Sequence, residues 1–173
     1  VALRPGVGFW LGVNGVAANL LSASGMLRLG GDGRAAALAP QPPAPVIEAD
    51  WQRIERDRRF RIVLLSPGLF PEGWRLPGLD QENRWHISGA SARLVCAAVP
   101  RAVVISGWDV ANHHPKPAQR FAPAGAVYWL EELEGDPAAL RKLANSGLWG
   151  LDNDNHDPQR RAEGFNHFAV ANA

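Results

Sequence analysis

Glycines next to arginine are the residues of this sequence whose types and spacing best suit chemistry, and that chemistry is anion binding. Gly30, Gly31 and Gly33 flank Asp32 and are followed by Arg34. Glycine has no Cβ, so backbone N–H groups at these positions approach a phosphate closely while the guanidinium supplies charge. A hairpin turn explains the same cluster without any ligand, and it is the favoured interpretation of the cluster taken alone.

A second arginine and glycine segment lies near the end of the chain. Arg160 and Arg161 precede Gly164 and follow the polar stretch 152–157. Paired arginines before a glycine are suited to holding a nucleic-acid backbone. Alternating acidic residues in 152–157 resemble a calcium loop, but the glycine turn and the late glutamate of such a loop are missing. We therefore predict a solvated loop there and no metal site.

The segment 107–125 has the most unusual composition in the chain. Trp108 follows a glycine, His113 and His114 are adjacent, and the cations Lys116 and Arg120 stand among prolines. Lysine and arginine are phosphate ligands, whereas an exposed tryptophan suits either base stacking or a partner interface. The seven tryptophans also allow a purely protein-binding scaffold.

Composition limits the remaining function classes. A net charge of +1 provides no global basic field, so any contact with nucleic acid needs a local patch. There is no GxxxxGK[ST] loop, nucleophile elbow or zinc-type cysteine set, which removes most common enzyme classes. Cys96, the single cysteine, lies in an apolar run and is expected to be buried and reduced. No apolar stretch is long enough to span a bilayer, so we expect a cytoplasmic protein.

Hydrophobic patterning predicts three regions: a glycine-rich segment with short strands at 1–39, a rigid Pro-rich connector at 40–45, and a folded domain at 46–173. The first region contains two short strands joined through the glycine turn. Apolar runs and cap residues place the elements of the folded domain. They are a helix around Trp51, strands at 60–65, 92–99, 102–106, 126–130 and 165–170, long loops at 69–91 and 107–125, and a helix opened by Asp136 and Pro137 and closed by Gly147.

This order of elements is typical of an α+β fold. Strands and helices alternate as expected for helices on one face of a mainly antiparallel sheet. We predict a ferredoxin-like (RRM-like) sheet with two helices, glycine-rich loops and irregular insertions.

The order of several short motifs resembles one known family. The motifs are LGGDGR at 29–34, LSP at 65–67, ISGWD at 105–109, PKP at 115–117, Arg120, PAGAVY at 123–128 and GF at 164–165. From about Leu29 to the end, the chain is similar to the C-terminal half of subunit three of the CRISPR type III-B Cmr complex, one of the repeat-associated mysterious proteins (RAMPs). Asn166 stands where that family usually has a second glycine, and asparagine tolerates the left-handed conformation.

The resemblance implies a function in antiviral defence. It implies a full-length subunit with two ferredoxin-like folds, no catalytic role and no cofactor. The implied partners are the 5′ tag of the crRNA, which the subunit binds while capping the base of the complex, the large Cas-ten-type subunit and a backbone RAMP. On this basis we expect the first half of the family's full-length subunit to be absent from this sequence. The positions that match family motifs are Gly30, Gly31, Gly33, Arg34, Lys116, Arg120 and Gly164.

A nuclease is the main alternative to a binding role. Related RAMP proteins include endoribonucleases that use histidine as general acid or base, and the candidates here are His113, His114 and His156. Histidines in a Pro-rich loop are usually solvated, so we expect no enzymatic activity.

Overall fold

The structure is a computed structural model that describes residues 7–9, 11–13, 15–22, 24–29, 34–42, 48–149, 151 and 157–173. The chain divides into two units, residues 1–47 and residues 48–173. The first unit carries a hairpin, and the second carries the main sheet and the α-helices.

The hairpin of the first unit consists of β1 (Gly25–Leu29) and β2 (Arg34–Leu38), preceded by one turn of 3-10 helix at Ala18–Leu20. The strands are antiparallel, and Gly25 pairs with Leu38 at one end while Leu29 pairs with Arg34 at the other. The two predicted short strands are therefore confirmed. The glycine turn between them, residues 30–33, lies outside the described residues.

A five-stranded antiparallel sheet forms the centre of the second unit. The strands of this unit are β3 (Phe60–Leu64), β4 (Arg84–Ile87), β5 (Ala90–Ala98), β6 (Val103–Ile105), β7 (Trp108–Asp109), β8 (His114–Pro115), β9 (Gln119–Phe121), β10 (Val127–Gly135) and β11 (Phe168–Asn172). The main sheet has the order β11-β3-β10-β5-β4, and β6-β9 and β7-β8 form two separate pairs. The predicted α+β class with an antiparallel sheet is confirmed.

The described residues include three α-helices, α1 (Trp51–Asp57), α2 (Pro137–Ser146) and α3 (Pro158–Ala162). The start of α2 is set by Asp136, whose carboxylate accepts a hydrogen bond from the Ala138 N–H over 2.8 Å. Gly147 ends it with a φ of 79°, and its N–H donates to the Leu143 carbonyl oxygen. The caps predicted for this helix are thus confirmed. Helix α3 was not predicted, since its sequence reads as part of a polar loop.

The main hydrophobic core lies against one face of the five-stranded sheet. Side chains alternate along β3, so Phe60, Ile62 and Leu64 point inward and are fully or almost fully buried. Tyr128 of β10 and Leu140 of α2 are buried in the same cluster. The alternate residues of β3, Arg61 and Val63, are half-buried, because they point to the other face of the sheet.

Two predicted loops contain strands. The loop predicted at 69–91 includes β4, and its Trp85 is 1% exposed, with its indole N–H donating to the Pro77 carbonyl oxygen over 2.9 Å. The loop predicted at 107–125 includes β7, β8 and β9. Strand β6 pairs with β9 and not with its chain neighbour β5. Short strands with polar partners lack the alternation on which the sequence argument depends.

The prediction that Cys96 is buried is wrong, because the thiol is exposed. On β10, Trp129 pairs with Cys96 while the next residue, Leu130, pairs with Leu94, so Val95 is an extra residue in β5. This bulge reverses the alternation of the strand, so that Leu94 points into the core and Cys96 does not.

The longest α-helix of the described residues, α2, has ten residues. None of the helices in this described part of the chain has both the length and the apolar character needed to cross a bilayer.

Candidate nucleic-acid interface

Arg160 brings together motifs that are far apart in the sequence. Its side chain is 3% exposed, and its guanidinium donates hydrogen bonds to Gln119 Oε1 (2.9 Å), the Ser106 carbonyl oxygen (2.8 Å), the Pro117 carbonyl oxygen (3.2 Å) and Glu163 Oε2 (2.8 Å). Its partners span residues 106 to 163, so one buried cation fixes three separate segments. We call Ser106, Lys116, Gln119, Arg160 and Glu163 the Arg160 network.

Lys116 enters the same network from the opposite side of Glu163. Its ammonium group bonds Glu163 Oε1, and its side chain is 16% exposed. Its backbone is fixed as well, because its N–H donates to the Gly107 carbonyl oxygen over 2.9 Å and its carbonyl oxygen accepts from Ser106 Oγ over 2.5 Å. Two cations therefore share one carboxylate, which leaves the network with a positive charge.

The pKa of the Glu163 carboxyl lies below its ordinary value. The hydrogen bond from Lys116 is the largest cause; burial opposes it as the second largest, and the hydrogen bond and charge of Arg160 lower the pKa further. The carboxylate is therefore held in its charged form, which keeps both cations in place.

Gly107 is a glycine for a local reason. Its φ is +122°, a conformation that side chains rarely adopt, and a Cβ there would lie 3.6 Å from Lys116 Cδ and 3.8 Å from Arg160 Nη1. The backbone at the end of β6 thus turns tightly against the two cations. This is a structural role for part of the motif at 105–109.

A small hydrophobic cluster lies beside the network. Leu69, Phe121 and Trp149 are its buried members, and Phe165 packs against them with its ring centroid 4.6 Å from that of Phe121. The Arg160 guanidinium carbon is 5.9 Å from the centroid of either phenyl ring. The buried charge is therefore flanked by aromatic rings as well as by oxygen acceptors.

The turn at 164–166 keeps its left-handed geometry without the second glycine. Gly164 has a φ of 82° and Asn166 a φ of 64°. Asn166 is 2% exposed, and its side-chain oxygen accepts a hydrogen bond from the Leu69 N–H over 2.6 Å. The expectation that asparagine replaces glycine in this turn is confirmed, and its side chain adds a contact that glycine lacks.

The pair β7-β8 projects an exposed aromatic side chain. Trp108 pairs with Pro115 and is 57% exposed, and Val110 in the connecting turn is 75% exposed. The Asp109 carboxylate closes the turn by accepting from the N–H groups of Ala111 and Asn112, each over 3.0 Å. The pKa of Asp109 is lowered chiefly by the hydrogen bond from the Asn112 side chain. The hydrogen bonds of Asp109 thus stabilise the turn of the hairpin, and the contacts of Lys116 fix the end of β8.

Arg120 and Arg161 present their side chains to solvent. Arg120 pairs with Val104 across β9 and β6, and its neighbour Gln119 is held by Arg160. It also borders a groove of about 500 Å³ that Trp74 lines on another side. Arg161 is exposed on α3, directly after Arg160. Successive residues point in different directions on a strand or helix. Gln119 and Arg160 are therefore held inside, while their neighbours Arg120 and Arg161 face solvent.

The glycine cluster predicted to bind phosphate belongs to the first unit of the chain. Gly30, Gly31 and Gly33 lie outside the described residues, and Arg34 begins β2 in the first unit. His156 lies outside the described residues too. His113 is exposed with a φ of 52°, and His114 is exposed with Nδ1 2.9 Å from the Pro115 carbonyl oxygen.

Sequence reasoning missed Glu163, Ser106 and Gln119. One signal was available, because Asp157 and Pro158 mark a helix start and place Arg160 and Glu163 three residues apart on one helix face. The partners Ser106 and Gln119 have no such signal, since they lie more than 40 residues away, Ser106 just after β6 and Gln119 in β9.

The sequence matches the family described as CRISPR-associated protein (Cas_Cmr3) over residues 1–172. The chain belongs to this family. It is accordingly a subunit of a Cmr complex of CRISPR defence, which it shares with other Cas subunits. No curated protein matches the chain. Four of the motifs that resemble this family lie around Arg160, at 105–109, 115–117, 120 and 164–165.

Proposed function

We propose that the chain binds the 5′ tag of the crRNA in a Cmr complex, caps the base of that complex and does not cleave the RNA. The observation that carries the proposal is the convergence on Arg160. Family-like segments that are up to 58 residues apart in sequence, from Ser106 to Gly164, form one surface with surplus positive charge.

The proposal divides the cations into two roles. Arg120 and Arg161 are exposed and form no ion pair with another described residue, so they are the phosphate ligands of the second unit. Lys116 contributes the charge that the single carboxylate of Glu163 leaves uncompensated. Arg160 is buried and engaged in four hydrogen bonds, so we assign it the role of a positioning residue that holds Gln119 and the 106–117 segment.

The glycine-containing segments of each unit are further proposed RNA contacts. Gly164 has room for a ligand, because a Cβ there would have no neighbour within 4 Å. An RNA backbone therefore approaches it without a steric penalty. Gly30, Gly31, Gly33 and Arg34 remain proposed phosphate ligands on the strength of the family resemblance.

The strand order supports assignment of the second unit to the ferredoxin-like folds. Numbered by their order in the chain, β3, β5, β10 and β11 lie in the sheet order 4-1-3-2, and α2 connects β10 to β11 across β3. The connection from β3 to β5 is irregular and carries β4 in place of the first crossover helix. We propose a RAMP-type variant of the ferredoxin-like fold on this basis.

The Trp108 hairpin is the proposed protein contact of the surface. Trp108 and Val110 are both apolar and exposed, a combination that is typical of an interface anchor. The proposed partners are the large Cas-ten-type subunit and a backbone RAMP of the Cmr complex.

The test is tag binding by Cmr complexes assembled with variant chains. We expect the double substitution Arg120→Ala and Arg161→Ala to weaken tag binding at least about tenfold and to reduce the slope of log K against log salt by about 0.7 for each phosphate contact. Arg59→Ala is the matched control, since Arg59 is exposed and precedes β3 at the end opposite Leu64. Equal tag affinity for the double variant and the control, or cleavage of the RNA by the wild-type chain, would overturn the proposal.

A further inference from the structure

A groove of about 500 Å³ lies beside the Arg160 network in the second unit. Trp74 lines one side, Ala97 and Val99 at the end of β5 line another, and Arg120 and Phe121 of β9 complete it. Of the described residues that line the groove, only Arg120 is charged. A volume of this size falls in the range of about 300–1,000 Å³ that small-molecule sites occupy.

The backbone of Trp74 is fixed while its ring stays accessible. The Tyr128 hydroxyl, reaching out of the core, donates a hydrogen bond to the Trp74 carbonyl oxygen over 2.7 Å. Burial raises the pKa of the Tyr128 phenol, so the hydroxyl remains a donor at neutral pH. The Trp74 residue is nevertheless 47% exposed. A large aromatic side chain on a restrained backbone binds with little loss of conformational entropy.

The turn that carries Trp74 brings little net charge to the groove. Glu72 is two residues away, but its carboxylate is 2.9 Å from Arg75 Nε. Arg75 Nη2 also donates to the Asp80 carbonyl oxygen over 2.5 Å, which holds the salt bridge to the next turn. The charge that an incoming ligand meets in the groove is therefore that of Arg120.

Arg120 is held on the opposite side by its strand neighbours. Phe121 is 1% exposed and points into the small hydrophobic cluster, and the Gln119 side chain bonds Arg160 over 2.9 Å. The residues on both sides of Arg120 are thus anchored, while its own guanidinium remains free to bind an anion. The groove combines an indole face, an apolar wall and one fixed cation.

We propose that this groove receives one unpaired nucleotide of single-stranded RNA, with the base stacked on the Trp74 indole and the adjoining phosphate on Arg120. The inference rests on the proposed RNA-binding function and adds a specific nucleotide subsite to it. Aromatic stacking accepts any base, because each base has a π face, so the subsite fixes the position of the strand and not its sequence. A nucleotide needs an apolar surface for its base and a nearby cation for its phosphate, and the lining of this groove offers both.

The experiment combines protein variants with RNA that carries a single abasic nucleotide. Tag RNAs with the abasic position moved one nucleotide at a time are bound to Cmr complexes that contain wild-type chain, Trp74→Ala or Trp74→Phe. We expect Trp74→Ala to weaken binding of intact tag RNA by about 5- to 150-fold, as the loss of one base stack does, and Trp74→Phe to restore part of it. One abasic position should weaken the wild type by a similar factor and have no further effect on Trp74→Ala.

Leu65→Ala is the matched control, because it removes another exposed apolar side chain from the same unit. It should leave the effect of that abasic position intact. Urea unfolding of Trp74→Ala, compared with wild type, checks that the variant chain is folded.

Several results would contradict the subsite, and they are distinguishable from failure of the proposed function. Tag binding by wild type that Trp74→Ala leaves unchanged overturns the subsite alone. A shared loss of the abasic effect in Trp74→Ala and Leu65→Ala also overturns it, since the effect is then not local. Release of another subunit by Trp74→Ala with tag affinity unchanged identifies the groove as a protein contact. Absence of tag binding by the wild-type complex overturns both the function and the subsite.

Discussion

The guanidinium of Arg160 donates a hydrogen bond to the backbone carbonyl oxygen of Ser106 over 2.8 Å, across 54 residues of chain. Ser106 is the last residue before Gly107 and the Trp108 hairpin, and Arg160 lies on a helix near the end of the sequence. This contact makes the geometry of the candidate interface depend on a residue that is itself shielded from solvent. Arg160 therefore stabilises the backbone of the proposed binding surface.

Arg160→Ala should lower the free energy of unfolding by about 2–4 kcal/mol, because it removes a buried donor from several oxygen acceptors at once. The neighbouring variant Arg161→Ala should change it by less than about 0.5 kcal/mol, since Arg161 is exposed. Urea midpoints of the two variants measure the difference directly. Equal midpoints for the two would show that the Arg160 network does not stabilise the fold.

Glu163→Gln should remove a pH-dependent part of the stability. The pKa of Glu163 is lower in the folded chain than its usual value of 4.5, mainly through Lys116, so the folded state binds this proton less readily than the unfolded state. The stabilisation is then complete well above 4.5 and is lost as the pH falls through the folded value.

The pH effect is measured as a difference, since Asp57, Asp80 and Asp109 also have lowered pKa values. The unfolding free energy of wild type minus that of Glu163→Gln should be largest near pH 7 and should shrink below about pH 4.5. A difference that is constant across this range would contradict the assignment of Glu163 as the shared carboxylate.

Asn166→Ala should be more destabilising than Asn166→Gly. Both remove the buried side-chain hydrogen bonds to Leu69, but alanine also has to adopt the left-handed conformation at φ 64°. The additional cost of alanine is about 1 kcal/mol, a typical figure for a non-glycine residue in this region. Thermal or urea unfolding of the two variants checks the order, and greater stability of the alanine variant would contradict it.

Trp108→Ala should weaken assembly of the Cmr complex while leaving the stability of the chain almost unchanged. The side chain is largely exposed, so unfolding should shift by less than about 0.5 kcal/mol, whereas loss of an interface anchor weakens association by about 2 kcal/mol or more. Co-purification of the Cmr subunits with wild-type and variant chains measures incorporation. Leu65→Ala, which removes another exposed apolar side chain, is the control. Equal incorporation of Trp108→Ala and wild type would contradict a protein contact at the hairpin.

Elements with local signals were predictable from the sequence. Helix α2 has its start at Asp136 and its end at Gly147, and β3 is a short apolar run bounded by turn residues, so each carries its own boundaries. The left-handed turn at Asn166 was predictable for the same reason, since the preference belongs to the residue itself.

Pairing between distant segments was not predictable. The bulge at Val95 exposes Cys96, and β6 pairs with β9 instead of β5, because each depends on registers that no local pattern encodes. The candidate interface was not predictable for the same reason. Arg160 and Arg161 look equivalent in sequence, but contacts with Gln119 and Ser106 bury only the first.

The most direct test of the central claim is a salt titration of fluorescence anisotropy with wild-type chain in the Cmr complex, using the 5′-tag RNA, a scrambled RNA and the DNA equivalent. Each sample is then run on a denaturing gel. We expect tighter binding of the tag RNA than of the other two, an affinity that falls with salt by a slope of about 0.7 for each phosphate contacted, and RNA that stays intact. Cleaved RNA, or equal binding of tag and scrambled RNA, would contradict the account.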